Sequence, residues 1–133
     1  MSEALRTSLR ARLLANTDLS AMVGGSRVYP VHLPQAATYP AVTYQKISDV
    51  TEPNLGEASR IRTARIQLDT WADTPADAWK LADHIRTQVD GFQGTVSGVR
   101  FAASMVDSET DLYEEAIEKF RVTVDYEIVY WPA

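Results

Sequence analysis

The chain has 133 residues, a net charge of −5, 45% hydrophobic and 23% charged residues, and no cysteine. That length supports one hydrophobic core and not two, so residues 1–133 read as one globular domain of ordinary composition. The acidic balance speaks against a free-standing nucleic-acid binder, which needs clustered Lys and Arg, and the lack of cysteine excludes disulfide scaffolds, thiolate metal sites and cysteine nucleophiles.

Leu5, Leu9 and Leu13 recur at four-residue spacing and predict a first helix from Ser2, its cap, to about Asn16. Arg6, Arg10 and Arg12 fall on its other face and read as solvated. This N-terminus lacks the apolar core of a signal peptide, and no window approaches the roughly 18 apolar residues of a membrane span, so a cytoplasmic start and no membrane partner are expected. Asp18 opens a short helical turn through Val23, which Gly24 and Gly25 end. Three prolines between Pro30 and Pro40 give an irregular connection.

Ala41 to Ile47, β-branched and aromatic, predicts a strand. Asp49 to Ser59 then offers Pro, Asn and Gly with little to bury, and reads as a long hairpin arm, a candidate contact surface. Within it, Val50, Thr51, Glu52, Pro53, Asn54, Leu55, Gly56 and Glu57 are the candidate assembly residues. A second strand runs from Arg60 to Trp71, with Ala64, Ile66 and Leu68 alternating against Arg65, Gln67 and Asp69. Thr74, Pro75 and Asp77 announce a helix to about Asp90, with Ala78, Ala82, Ile85 and Val89 on one stripe and Gly91 just past its end.

Thr95 to Val106 predicts another strand, placing Val99, Phe101, Ala103 and Met105 on one face. The acidic piece Asp107 to Glu118 reads as a loop or bulged hairpin. The last strand alternates most cleanly: Phe120, Val122, Val124, Tyr126, Ile128 and Tyr130 face one way, Arg121, Thr123, Asp125 and Glu127 the other. The expected fold is α+β: a mainly antiparallel four-stranded sheet with two helices on one face and a long hairpin arm, with room for a short edge piece at Arg27 to Tyr29.

Signals for chemistry are sparse. His32 and His84 are the only histidines, and neither lies in a metal-binding or nucleophile motif. The acids between Asp107 and Glu118 lack the spacing of a calcium loop and read as solvated. Gly24 and Gly25 follow a helical turn instead of opening one, so they read as a helix stop and not a phosphate cradle. Trp71, Trp79 and Trp131 read as packing residues rather than a carbohydrate platform. The expectation is no enzyme, no cofactor, no metal and no catalytic residue.

The ordered pieces VGGSRVYP, PAVTYQKISD, RIQLDTWADTPADAWKLADHIR, GVRFAASMVDSETDLYEE and FRVTVDYEIVYW resemble the tail-completion, or tail-terminator, proteins of long-tailed bacteriophages. The resemblance spans nearly the whole chain. Gly25, Arg27, Val28 and Tyr29, then Tyr44 and Ile47 to Asp49, the junction Gln67 to Ala82, and Asp111 to Tyr113 carry it. Relatives occur in prophages and gene transfer agents. The resemblance implies a virion structural protein forming a hexameric ring on the head-proximal end of the tail tube, ending tube growth and joining the tail to the neck. Its implied partners are other copies of itself, the major tail tube protein and a neck or head-completion protein, with DNA passing through the ring without specific binding. A neck protein of the same particle is the alternative, and a small-ligand or enzymatic α+β domain a more distant one.

Overall fold

The computed structural model describes residues 2–51 and 61–132, Ser2 by its backbone alone. The expected Ser2 cap and the arm residues Glu52 to Glu57 therefore lie outside the described residues. The elements are α1 (Ser2–Ala15), α2 (Thr17–Met22), β1 (Val28–Pro30), β2 (Ala41–Thr51), β3 (Arg62–Ala72), α3 (Pro75–Val89), β4 (Gly94–Val96), β5 (Val99–Glu114) and β6 (Lys119–Trp131).

Six strands form one sheet in the order β1-β2-β3-β6-β5-β4, curled as a half-barrel. β1 runs parallel to β2, and every other pair is antiparallel. This corrects the expected four-stranded, mainly antiparallel sheet: the class remains α+β, but the sheet is six-stranded and mixed. Two local features account for the extra strands. Ser97 (φ 49) and Gly98 (φ 84) both take left-handed backbone, as a two-residue hairpin turn requires, so the expected Thr95 to Val106 strand folds back on itself with Val96 opposite Val99. β1 is the short edge piece expected at Arg27 to Tyr29, found one residue on, where Val28 to Pro30 pair with Val42 to Tyr44.

Of the two forms expected for the acidic piece, loop or bulged hairpin, it takes the second. It is strand through Glu114 and pairs with β6 all the way to Lys119. Bulges between Phe101 and Ala103 and between Val106 and Ser108 shift the register, so Ser104 is buried and Met105 half exposed, the reverse of the sequence alternation.

Three helices lie on the sheet face that carries Ala64, Ile66 and Leu68 of β3 and Val122 to Tyr130 of β6. Leu5, Leu9 and Leu13 of α1 are fully or almost fully buried there, each contributing roughly 1.5–3 kcal/mol of apolar burial. In α3 the Thr74 hydroxyl accepts from the Asp77 amide at 3.2 Å, Pro75 occupies the first turn, and Ala78, Leu81, Ala82, Ile85 and Val89 form the buried stripe. Two of the α1 arginines, Arg10 and Arg12, are tethers instead of a solvated face. Arg10 donates to the Val28 and Ser26 carbonyls at 3.0 and 3.1 Å. Arg12 donates to the Gln88 carbonyl at 3.1 Å, its guanidinium 3.9 Å from the Phe92 ring centroid. They hold α1 to β1 and to the end of α3.

The glycine-containing junction after α2 is built around Arg27. Its Nε donates to the Pro40 carbonyl at 2.9 Å and its NH2 group to the Met22 carbonyl at 3.3 Å. Gly24 has φ 60, and a Cβ there would come within 2.1 Å of the Arg27 guanidinium, so a side chain at this position would push Arg27 aside.

Candidate assembly surfaces

The root of the expected arm is more fixed than the sequence suggests. Asp49 to Thr51, read as loop, are the last residues of β2, with Asp49 opposite Ala64 and Thr51 opposite Arg62. A bulge between Lys46 and Ser48 turns Asp49 to the helix-covered face, where its side chain is only 5% exposed. There the Tyr130 hydroxyl donates to Oδ2 at 2.6 Å, Lys46 Nζ to the same oxygen at 2.9 Å, and Arg62 Nε to Oδ1 at 3.0 Å. Burial alone would raise the Asp49 pKa, but the Tyr130 hydroxyl and the Lys46 and Arg62 cations outweigh it and hold the carboxyl below its usual value. Burial and the hydrogen bond to Asp49 push the Tyr130 hydroxyl strongly upward, so it remains a donor. This cluster clamps the strand ends from which residues 52–60 leave and return.

Val50 points to the other sheet face and is 55% exposed. With Ser48, Thr63, Arg65 and Glu127 it lines a shallow depression of about 220 Å³. Of the candidate residues, Val50 and Thr51 are thus at the end of β2, side by side with the start of β3, and the other six lie outside the described residues.

At the opposite end of the sheet, the start of α3 meets the end of the β5–β6 hairpin. Pro75, Ala78 and Trp79 face Leu112, Tyr113 and Phe120 across an apolar pocket of about 390 Å³. Trp79 is 49% exposed, and its indole Nε1 donates to Asp111 Oδ1 at 3.2 Å, bridging helix and hairpin. Tyr113 is 48% exposed and packs on Phe120 with ring centroids 4.9 Å apart. Sequence reasoning misses this surface: a loop or bulged hairpin of solvated acids at Asp107 to Glu118 gives no sign that Leu112 and Tyr113 come against α3. The available signal was Leu112-Tyr113 set among acids, apolar residues no solvated loop requires.

The sheet face away from the helices carries a lattice of ion pairs and hydrogen bonds. Arg65 pairs with Asp107 and lies 4.0 Å from Asp125, while Arg121 spans Glu114 at 3.3 Å and Asp69 at 3.9 Å. Asp69 is buried, and burial raises its pKa although Gln67 donates to both its oxygens at 3.1 and 3.2 Å. The tryptophans lie apart: Trp71 donates to Thr43 Oγ1 at 3.0 Å, and Arg100 sits 4.4 Å from the Trp131 ring centroid. His32 is in the exposed connection and His84 half-buried on α3. Among the described residues no cluster of His, Asp and Glu has the arrangement of a metal site, and no helix is long and apolar enough to cross a membrane.

The family model described as "Tail completion protein gp17" matches residues 7–131. The chain belongs to this family. It is therefore a member of a phage tail-completion protein family, whose members are structural components of the tail. The residues carrying the sequence resemblance have fold roles in this family member: Gly25 and Arg27 organise the turn after α2, Tyr44 and Asp49 belong to β2, and Asp111 to Tyr113 form the hairpin side of the apolar pocket. A chain from the virion of a native gene transfer agent particle has the same fold, with a TM-score of 0.79, 16% identity and coverage of 97% of this chain and 96% of that one. At that identity the likeness is one of fold. Among curated proteins, none matches the chain.

Proposed function

We propose that this tail-completion protein caps the head-proximal end of the tail tube as a ring, ends tube growth and presents the surface on which the neck of the filled head docks. The match to the tail-completion family over residues 7–131 carries this reading. The shape of the domain is compatible with it. A ring is built from heterologous contacts, in which each copy offers two different patches to its neighbours. Val50 and Thr51, at the end of β2 beside the Asp49 clamp, belong to the segment Val50 to Glu57 that we assign to one of these patches. Six copies are the expected number, from the resemblance. The net charge of −5 suits a ring that lets DNA pass, since like charge does not retain the duplex.

The proposal is tested by adding the purified full chain to finished tail tubes and imaging them negatively stained. A six-fold ring at one end of each tube, and no further growth when tube subunits are supplied, is the expected result. Decoration along the tube wall, or continued elongation past the bound protein, would refute the capping role. Binding only to the neck assembly would instead favour the alternative of a neck protein.

A further inference from the structure

The distal half of β5 combines an open strand edge, an apolar pocket and an excess of carboxylates. β4 covers only Val99 to Phe101 of the outer edge. The two residues after α3 satisfy two more groups: the Gly91 amide donates to the Ser104 carbonyl at 2.7 Å, and the Val106 amide to Asp90 Oδ1 at 3.1 Å. From Ser108 to Glu114 no described element pairs with the outer edge, whereas the inner edge is laddered to β6 throughout. Such an edge offers main-chain donors and acceptors to an added extended segment, and the adjoining pocket can take one of its side chains. Trp79 and Tyr113, both half exposed, are the residue types that dominate binding energy when they become covered.

Charge selects the occupant. Asp107, Glu109, Asp111, Glu114, Glu115 and Glu118 supply six carboxylates with no Lys or Arg among them. Arg65, Arg86 and Arg121 neutralise Asp107, Glu109 and Glu114, while Glu115, Glu118 and nearby Asp77 form no ion pair among the described residues. Carboxylates along an edge repel an acidic strand and admit a basic one. This chain's own arm has Glu52 and Glu57 and no cation between them. Its root also lies the length of β3 away, about 33 Å, beyond the reach of nine residues that must double back.

We propose that the Ser108–Glu114 edge and the Trp79 pocket dock an extended segment of a different polypeptide, one with a bulky apolar residue flanked by Lys or Arg. The segment pairs with the edge, seats its apolar side chain between Trp79 and Tyr113, and sets its cations against the unpaired acids. The inference does not depend on ring formation.

The test titrates the isotope-labelled full chain with the synthetic peptide Lys-Leu-Lys-Phe-Lys-Leu-Lys and follows its amide spectrum. A Glu-for-Lys version and a peptide of residues 50–60 of this chain serve as comparators. The Lys peptide is expected to shift the amides of 108–114 and the Trp79 indole signal, and to bind more weakly as salt rises. Trp79→Ala and Tyr113→Ala, both at half-exposed positions, are each expected to weaken binding about tenfold or more with a little-changed melting curve. No binding, or shifts scattered over acidic surface and indifferent to both substitutions, would overturn the proposal. Tighter binding of the 50–60 peptide would overturn it too, and make a second copy the occupant.

Discussion

Tyr126 and Tyr130 stand four residues apart on the same face of β6, both fully buried, and they affect stability in opposite directions. The Tyr130 hydroxyl is one of three donors to Asp49, while the Tyr126 hydroxyl has no hydrogen-bond partner among the described residues. Tyr130→Phe removes a hydrogen bond to a charged, buried acceptor and is expected to cost about 1.5–3 kcal/mol. Tyr126→Phe deletes a desolvated and unmade bond and is expected to leave stability unchanged or raise it by up to about 1–3 kcal/mol. The pH dependence follows from Asp49. Its carboxyl is held below 3.8, so the stability it contributes is fully present above that value and is lost as pH falls through the lower folded-state value. The penalty of Tyr130→Phe should therefore shrink as the medium is acidified below about pH 3.8, a trend read from denaturant melts of both variants. A pH-independent penalty would mean that Tyr130 acts by packing alone.

At the scale of elements, what the sequence makes legible is what repeats. The alternation in β3 and β6, the leucine stripe of α1 and the Thr74-Pro75 start of α3 each place several residues on one face, and all are found there. Single-residue irregularities are not legible in this way. The β5 bulges exchange Ser104 and Met105 between faces, and the Ser97-Gly98 turn divides one expected strand into two. Asp49 was assigned to the arm because an acid beside Pro, Asn and Gly signals a turn. Its partners Lys46, Arg62 and Tyr130 lie up to 81 residues away and can be known only once strands are paired. The same blindness hides the Trp79 pocket, whose walls come from α3 and from the far end of the β5–β6 hairpin. Because the clamp at Asp49 fixes the strand ends on its own, the arm should be separable from the fold. Deleting Glu52 to Glu57 and bridging with two glycines is expected to change the melting curve little and to abolish ring formation and tail attachment. Full assembly by this variant would remove the arm from the interface.

For the whole molecule, the division of surfaces matters more than any single group. One sheet face is sealed by three helices, the other is held by paired charges, and most of the large apolar residues left exposed lie toward the two ends of β3, Ile47 and Val50 at one and Trp79, Leu112, Tyr113 and Ile117 at the other, with Val31 and Met105 between. A domain with two separated apolar ends is suited to joining two partners. The two ends have different chemistry as well, an arm beside a neutralised clamp and a pocket ringed with acids, so they need not serve the same partner. On this account the arm closes a ring of identical copies while the acidic end receives a foreign segment. The central claim, that the protein terminates the tail and joins it to the head, is tested most directly by the length distribution of tails in lysates of a phage carrying an amber mutation in this gene. The account predicts filled heads with unattached tails, many longer than the wild-type length. Unattached tails of normal, uniform length would contradict termination.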